Sequence, residues 1–183
     1  MSRRLTETLD AEHRAPGPST RAVIALGANL GDRAATMTAA LADLERMPLT
    51  DLVAAAEPIE SVALTLDGPD DEAPRYLNTV AIVDTRLAPS VLLGFLHAIE
   101  ARHGRERRER WGSRTLDLDL IAYGDVRSDD SALTLPHPRA AERDFVLDPW
   151  FTIDPDAVLP GVGAVAELRA RLHEGDADEE GTQ

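Results

Sequence analysis

The sequence predicts an α+β sandwich with helices packed on one face of an antiparallel-rich sheet. Three observations predict it. Apolar strand-like runs and two amphipathic helical stretches follow one another as strand, helix, strand, strand, helix, strand, with further pieces after them. Glycine and proline punctuate the connections. The 183 residues, 43% hydrophobic and 28% charged, suit a single globular domain able to bury a core. That order is the ferredoxin-like βαββαβ arrangement.

Residues 1–20 are polar and end in PGPST, which reads as a disordered leader; acids beside its arginines and the lack of an apolar core argue against a signal peptide. RAVIAL, residues 21–26, then GANLGDR, reads as a buried strand and a glycine turn. From Ala34 to Met47, Met37, Leu41 and Leu44 recur at helical spacing, and Pro48 closes the helix. Residues 52–63 are apolar and extended, and LTLDGPDDEAPR, residues 64–75, is a long polar loop. YLNTVAIVDT, residues 76–85, alternates as a strand.

Pro89 suits the first turn of a second helix, with Val91, Leu92, Phe95, Leu96 and Ile99 as its apolar face and Gly104 at its end. Residues 115–123 form the next strand. After a polar hairpin-like stretch come LTLPHPR and RDFVLDPWF, then a short terminal helix over 163–172. The acidic residues 174–183 read as a disordered tail, which leaves a domain over 21–173.

Composition excludes whole classes of chemistry. There is no cysteine, so disulfides, thiolate zinc sites and cysteine nucleophiles are out. There is no lysine either, and all 19 basic residues are arginine. A Walker A loop, a protein-kinase site and Schiff-base chemistry all need lysine. The formal net charge of -14 argues against general nucleic-acid or anionic-membrane binding. No apolar run approaches a membrane span, and the expected location is the cytoplasm.

Against that acidity, six arginines fall within the thirteen residues from Arg102 to Arg114, and TLDLDL follows directly. In that strand Leu116, Leu118 and Leu120 face one way and Asp117 and Asp119 the other, the carboxylates roughly 6.5 Å apart along the strand. Two readings stand for the pair: a solvated acidic strand face, or a holder of hard cations such as magnesium, which uses one or two carboxylates plus water and phosphate oxygens. Arg102, Arg105, Arg107, Arg108, Arg110 and Arg114 could likewise be a solvated helix end and surface loop. A helix end needs one or two cations, though, and the guanidinium fork matches phosphate oxygens. Trp111 and Gly112 offer an aromatic plane and a hinge, with core packing of Trp111 as the rival. Together, carboxylate pair and arginine loop point to magnesium nucleotide chemistry.

RWGSRTLDLDLIAYGD, residues 110–125, closely resembles the signature of the 6-hydroxymethyl-7,8-dihydropterin pyrophosphokinase family of folate biosynthesis. VIALGANLGDR (23–33), YLNTV (76–80) and LTLPHPRAAERDFVL (133–147) resemble that family's opening strand and turn, pterin-pocket strand and closing motif. The resemblance implies transfer of the terminal pyrophosphate of ATP to the hydroxymethyl group of the pterin, leaving AMP. It implies that Asp117 and Asp119 bind two magnesium ions. Arg105 and Arg107 would lie on the catalytic loop, with Arg110 and Arg114 gripping phosphates and Trp111 closing over the site. Glu100, Thr134, His137 and Arg143 would help hold the nucleotide. Gly27, Tyr76 and Asn78 would form the pterin pocket, with Phe145 stacking on the ring.

ATP and the pterin are the expected partners and a monomer the expected state. No residue stands out as a general base, so positioning and charge neutralisation should carry the rate. The chain departs from the family pattern in ESVALTLDGPDDEAPR, residues 60–75, where a threonine-proline or glutamate-proline step is usual, and at Ser113, where proline is usual. The alternatives are a non-catalytic nucleotide-binding module of the same fold, or an inactive relative. Seven aromatics, none in an RNA-recognition pattern, disfavour the first.

Overall fold

In the computed structural model, which describes residues 18–65, 68–70, 74–104 and 115–180, the alternation of RAVIAL is the middle of a longer strand, β1 (Thr20–Ala28). Ala22, Ile24, Leu26 and Ala28 are buried on one face and Val23 on the other. Gly31, at φ 65, turns the chain into α1 (Arg33–Glu45). Asp32 caps it by accepting the Ala35 N–H at 3.0 Å, and Met37, Ala40 and Leu44 are its buried stripe. The extended stretch expected at 52–63 is β2 (Thr50–Ala55), β3 (Ile59–Ser61) and the start of β4 (Ala63–Thr65). β4 pairs with β5 (Gly68–Asp70) inside the segment expected to be loop.

Next come β6 (Tyr76–Thr85), with the bounds expected, and α2 (Pro89–Arg102), with Pro89 in its first turn. β7 (Asp117–Tyr123) carries the carboxylate pair. A small hairpin, β8 (Ser128–Asp130) and β9 (Leu133–Leu135), leads to a 3-10 turn (Ala140–Glu142) and α3 (Asp144–Ile153). The chain closes with β10 (Val158–Leu159), β11 (Gly163–Ala164) and α4 (Val165–Glu180).

The main sheet has the order β2-β6-β1-β7, with β3 also on β6, and every pairing is antiparallel. This is the split βαβ order of a ferredoxin-like fold: each helix carries the chain past one intervening strand. β1 pairs with β6 over its whole length, from Thr20 opposite Thr85 to Ala28 opposite Leu77. With β7 the ladder slips by one residue. Val23 faces Ala122 but Ile24 faces Leu120, so Ile121 is an extra residue, a bulge.

The two helices of the βαββαβ order lie on one face, as expected, and the C-terminal additions cover the other. α1 and α2 pack with Ile24, Leu26, Val83, Leu118 and Leu120 on one side. On the other, Val146, Leu147 and Trp150 of α3 and Val165 and Leu168 of α4 pack on Val23, Val80, Ile82 and Ile121. Pro149 hides α3 in the sequence, because an interior proline reads as a break; the stripe of Val146, Leu147 and Trp150 buried on the sheet outweighs it.

α4 also runs beyond the expected 163–172 and takes in residues 174–180 of the acidic segment. Of the leader expected over 1–20, residues 1–17 lie outside the described residues, and Thr20 opens β1. Val91, expected on the apolar face of α2, is 47% exposed, since Leu92, Leu96 and Ile99 suffice to face the sheet. Truncating Leu147 to alanine should cost about 2–5 kcal/mol in urea unfolding, as for a fully buried leucine. Val91→Ala should stay within about 0.5 kcal/mol. A Leu147→Ala variant as stable as the parent would show that α3 does not belong to the core.

Candidate active site

The bulge at Ile121 decides which way the acids point. Paired residues in an antiparallel ladder share a face. After the slip Asp117 pairs with Gly27 and Asp119 with Ala25, on the α3 side, while Leu118 and Leu120 join the α1–α2 core. The expected alternation of TLDLDL is therefore borne out. On its other side Gly27 pairs with Asn78 of β6. Asn78, Gly27 and Asp117 thus form one row across three strands, and Asn78 and Asp117 are about 10 Å apart at the strand spacing of a sheet. Tyr76 lies two residues from Asn78 on the same face.

Gly27 leaves the middle of that row bare. A Cβ there would come 2.9 Å from Asn78 Oδ1 and 3.9 Å from the Tyr76 ring. Contacts under 3.0 Å are not tolerated by real Cβ atoms, so glycine is required for Asn78 to lie where it does. Asn78 is almost fully buried, and its Nδ2 donates to Ser61 Oγ at 2.7 Å. Ser61 escaped the sequence reading because it sits where the second loop departs from the family pattern. The extended run at 59–61, set opposite the strand at 76–78, is the signal that could have found it.

Beside the bare floor stands a charged cluster. Arg143, at the N-cap of α3, donates through Nη1 to Asp119 Oδ2 at 3.1 Å. The same guanidinium lies over the Phe145 ring at 5.5 Å, so one arginine holds both a carboxylate and an aromatic face. His137 is tied to β7 by its backbone N–H, which donates to the Ile121 carbonyl at 2.8 Å. Its Nδ1 accepts the Arg139 N–H at 3.2 Å, so the neutral ring carries its proton on Nε2, 4.0 Å from Asp119 Oδ2.

Burial holds the His137 pKa below its ordinary value of 6.5; Asp119 opposes this, while Arg143 and Arg139 push the same way and Asp117 weakly the other. Glu100, 1% exposed on α2, accepts the Leu118 N–H at 2.9 Å. It therefore braces the stretch of β7 between the two aspartates. Thr134 donates to the Asp130 carbonyl at 3.2 Å, within the β8–β9 hairpin.

Of the residues expected at the site, the fold brings together Gly27, Tyr76, Asn78, Asp117, Asp119, His137, Arg143 and Phe145 at one end of the sheet. Arg105, Arg107, Arg108, Arg110, Trp111 and Arg114 lie outside the described residues. Among the described residues no group of three or more histidines and carboxylates forms a ready metal cage. Two half-buried carboxylates on one face are instead the donor set that suits magnesium, which takes its remaining oxygens from water and phosphate.

Residues 23–155 match the family model described as 7,8-dihydro-6-hydroxymethylpterin-pyrophosphokinase (HPPK). The chain is 42% identical over 147 residues to the 2-amino-4-hydroxy-6-hydroxymethyldihydropteridine pyrophosphokinase of Haemophilus influenzae, covering 80% of this chain and 89% of that one. It is 44% identical over 150 residues to the Pseudomonas aeruginosa protein of the same name, covering 82% and 90%. Among solved structures, an HPPK-DHPS in complex with substrates superposes with a TM-score of 0.67 at 12% identity, over 88% of this chain and 45% of that chain. The wild-type Plasmodium falciparum HPPK-DHPS gives 0.63 at 12% identity, over 84% and 41%. This chain thus spans less than half of those longer proteins, and at that identity they speak for the fold alone.

The lowered pKa of His137 can be measured by NMR titration of its ring protons. The midpoint should lie below 6.5; Asp119→Asn should lower it further and Arg143→Gln should raise it. Because the folded state binds this proton less readily than the unfolded chain, the neutral ring contributes stability above about pH 6.5. That contribution is lost as the pH falls toward the folded midpoint. A midpoint at or above 6.5 would remove burial as the dominant influence.

Proposed function

Since the chain belongs to the 7,8-dihydro-6-hydroxymethylpterin-pyrophosphokinase family, we propose that the row Asn78–Gly27–Asp117 is where its reaction takes place. The enzyme moves the terminal pyrophosphate of ATP to the hydroxymethyl group of 6-hydroxymethyl-7,8-dihydropterin, a step of folate biosynthesis. The single observation that carries the site assignment is the cross-strand register, which sets an amide, a bare floor and a carboxylate side by side.

The pterin lies over Gly27, with its polar edge on the Asn78 amide and its flat face against Phe145, while Tyr76 walls the pocket. Its hydroxymethyl group then points along the row toward Asp117 and Asp119. The hydroxymethyl oxygen attacks the β-phosphorus of ATP. The bond from that phosphorus to the oxygen bridging the α and β phosphates breaks, AMP leaves, and the hydroxyl proton passes to solvent.

Asp117 and Asp119 would hold the magnesium, two ions in this reading, which would offset charge on the phosphate oxygens. Arg105 and Arg107 supply catalytic cations from the loop, with Arg110 and Arg114 on phosphates and Trp111 over the site. Glu100, Thr134, His137 and Arg143 serve the nucleotide side. His137 contributes there as a neutral N–H donor, in keeping with its depressed pKa. Arg143 binds one Asp119 oxygen and so orients the carboxylate that would serve the cation.

The same reading takes residues 21–173 as one pyrophosphokinase domain acting as a cytoplasmic monomer. Among the described residues no helix is long and apolar enough to cross a membrane.

AMP should form from ATP and magnesium only when the pterin is present, and Asp117→Ala or Asp119→Ala should cut kcat by at least about a thousandfold. Their melting temperatures should change little, because both side chains are half-exposed. An active double mutant would sink the metal assignment. Gly27→Ala should abolish pterin binding in calorimetry while ATP binding persists, since the new methyl displaces Asn78 rather than the phosphate side. Equal loss of both ligands would show that the change acts on folding instead.

A further inference from the structure

Asn78 is hydrogen-bonded to Ser61. Its Nδ2 donates to the Ser61 hydroxyl at 2.7 Å. β3 pairs with β6 so that Ile59 faces Asn78 and Ser61 faces Tyr76. Ser61 is therefore the diagonal neighbour of Asn78 on one face, within reach of a short amide. β3 is itself fixed from outside. The Arg33 guanidinium bonds Glu60 at 2.9 Å and the Arg75 carbonyl at 2.7 Å, clasping both ends of the segment between β3 and β6.

The torsion that turns an asparagine amide about its last bond is broad, unlike the staggered torsions of a saturated chain. Burial alone does not hold such a plane; a hydrogen bond does. Asn78 is 6% exposed, and its Oδ1 lies against the position a Gly27 side chain would fill. With one amide proton engaged by Ser61, the carbonyl oxygen and the second N–H remain for a ligand. That pair matches a planar heterocycle bearing a donor and an acceptor on adjacent ring positions.

We propose that Ser61 is a positioning residue for substrate recognition: it holds the Asn78 amide plane so that the amide presents an acceptor and a donor above Gly27. The inference rests on the pterin reading of that floor and adds the residue that orients its recognition group. Ser61 acts through Asn78, and the hydroxyl is the part that matters.

The test compares Ser61→Ala, Ser61→Thr and Ser61→Val with the parent enzyme. Loss of one hydrogen bond should raise the KM for 6-hydroxymethyl-7,8-dihydropterin about tenfold in the alanine and valine variants. The KM for ATP and kcat should stay within about twofold. Threonine, which keeps the hydroxyl, should restore the parent value; threonine failing alongside valine, or alanine leaving the pterin KM unchanged, would overturn the proposal.

A second readout needs no substrate. In the ligand-free parent the Asn78 side-chain amide protons should exchange slowly with solvent by NMR, and Ser61→Ala should speed that exchange. Equal exchange in both would overturn the role of Ser61 even if the enzyme is active. Protection lost in the alanine variant of a protein that ignores the pterin would uphold the role of Ser61 and overturn the substrate reading.

Discussion

The ladder between β1 and β7 slips by one residue at Ile121, and the site depends on that slip. Without it, the pairing that joins Ala22 to Tyr123 would continue to join Leu26 to Asp119. Residues paired across an antiparallel ladder share a face, and Leu26 faces the α1–α2 core. Both aspartates would then be driven into an apolar layer, at the desolvation cost of buried charge. The bulge turns them to the α3 side instead and keeps Leu118 and Leu120 in the core. Ile121 and Ala122, the two residues at the slip, both pack beneath α3.

In the proposed site, the same register lets recognition and phosphate chemistry share one short floor. β1 is the central partner, with β6 on one side and β7 on the other, and Gly27 is its position in the row that carries Asn78 and Asp117. A residue with a side chain there would fill the space that a flat ligand needs. β1 is buried on both faces by Ile24 and Val23, so the floor is anchored in two cores at once. The α3–α4 layer has a further consequence, because it brings Arg143 and Phe145 to the edge of that floor.

Around the carboxylates, the fold fixes the neighbouring groups through specific partners. Arg143 meets Asp119, the buried Glu100 meets a backbone N–H of β7, and His137 is fastened to the Ile121 carbonyl. A buried carboxylate is tolerable only when it accepts hydrogen bonds, and Glu100 accepts one from the residue between the two aspartates. The carboxylate frame is therefore tied to α2 on one side and to α3 on the other. What remains open between them suits a polyanion with its cation, in a protein whose surface as a whole repels anions.

Much of this was already determined by the sequence. Alternation set the faces of β6 and of TLDLDL, helical spacing placed α1 and α2, and the arginine-rich run beside an aspartate pair stated the chemistry, because these depend on near neighbours in the chain. Four ordered motifs carried the family. Tertiary structure alone decided the rest. α3 forms across Pro149 because its apolar stripe finds a second sheet face, which no local propensity could announce. The slip at Ile121, the diagonal bond from Ser61 to Asn78 and the pairing of Arg143 with Asp119 join residues 17 to almost 100 positions apart. Such contacts arise from how strands align, and a single sequence holds the pattern of each strand without the register between them.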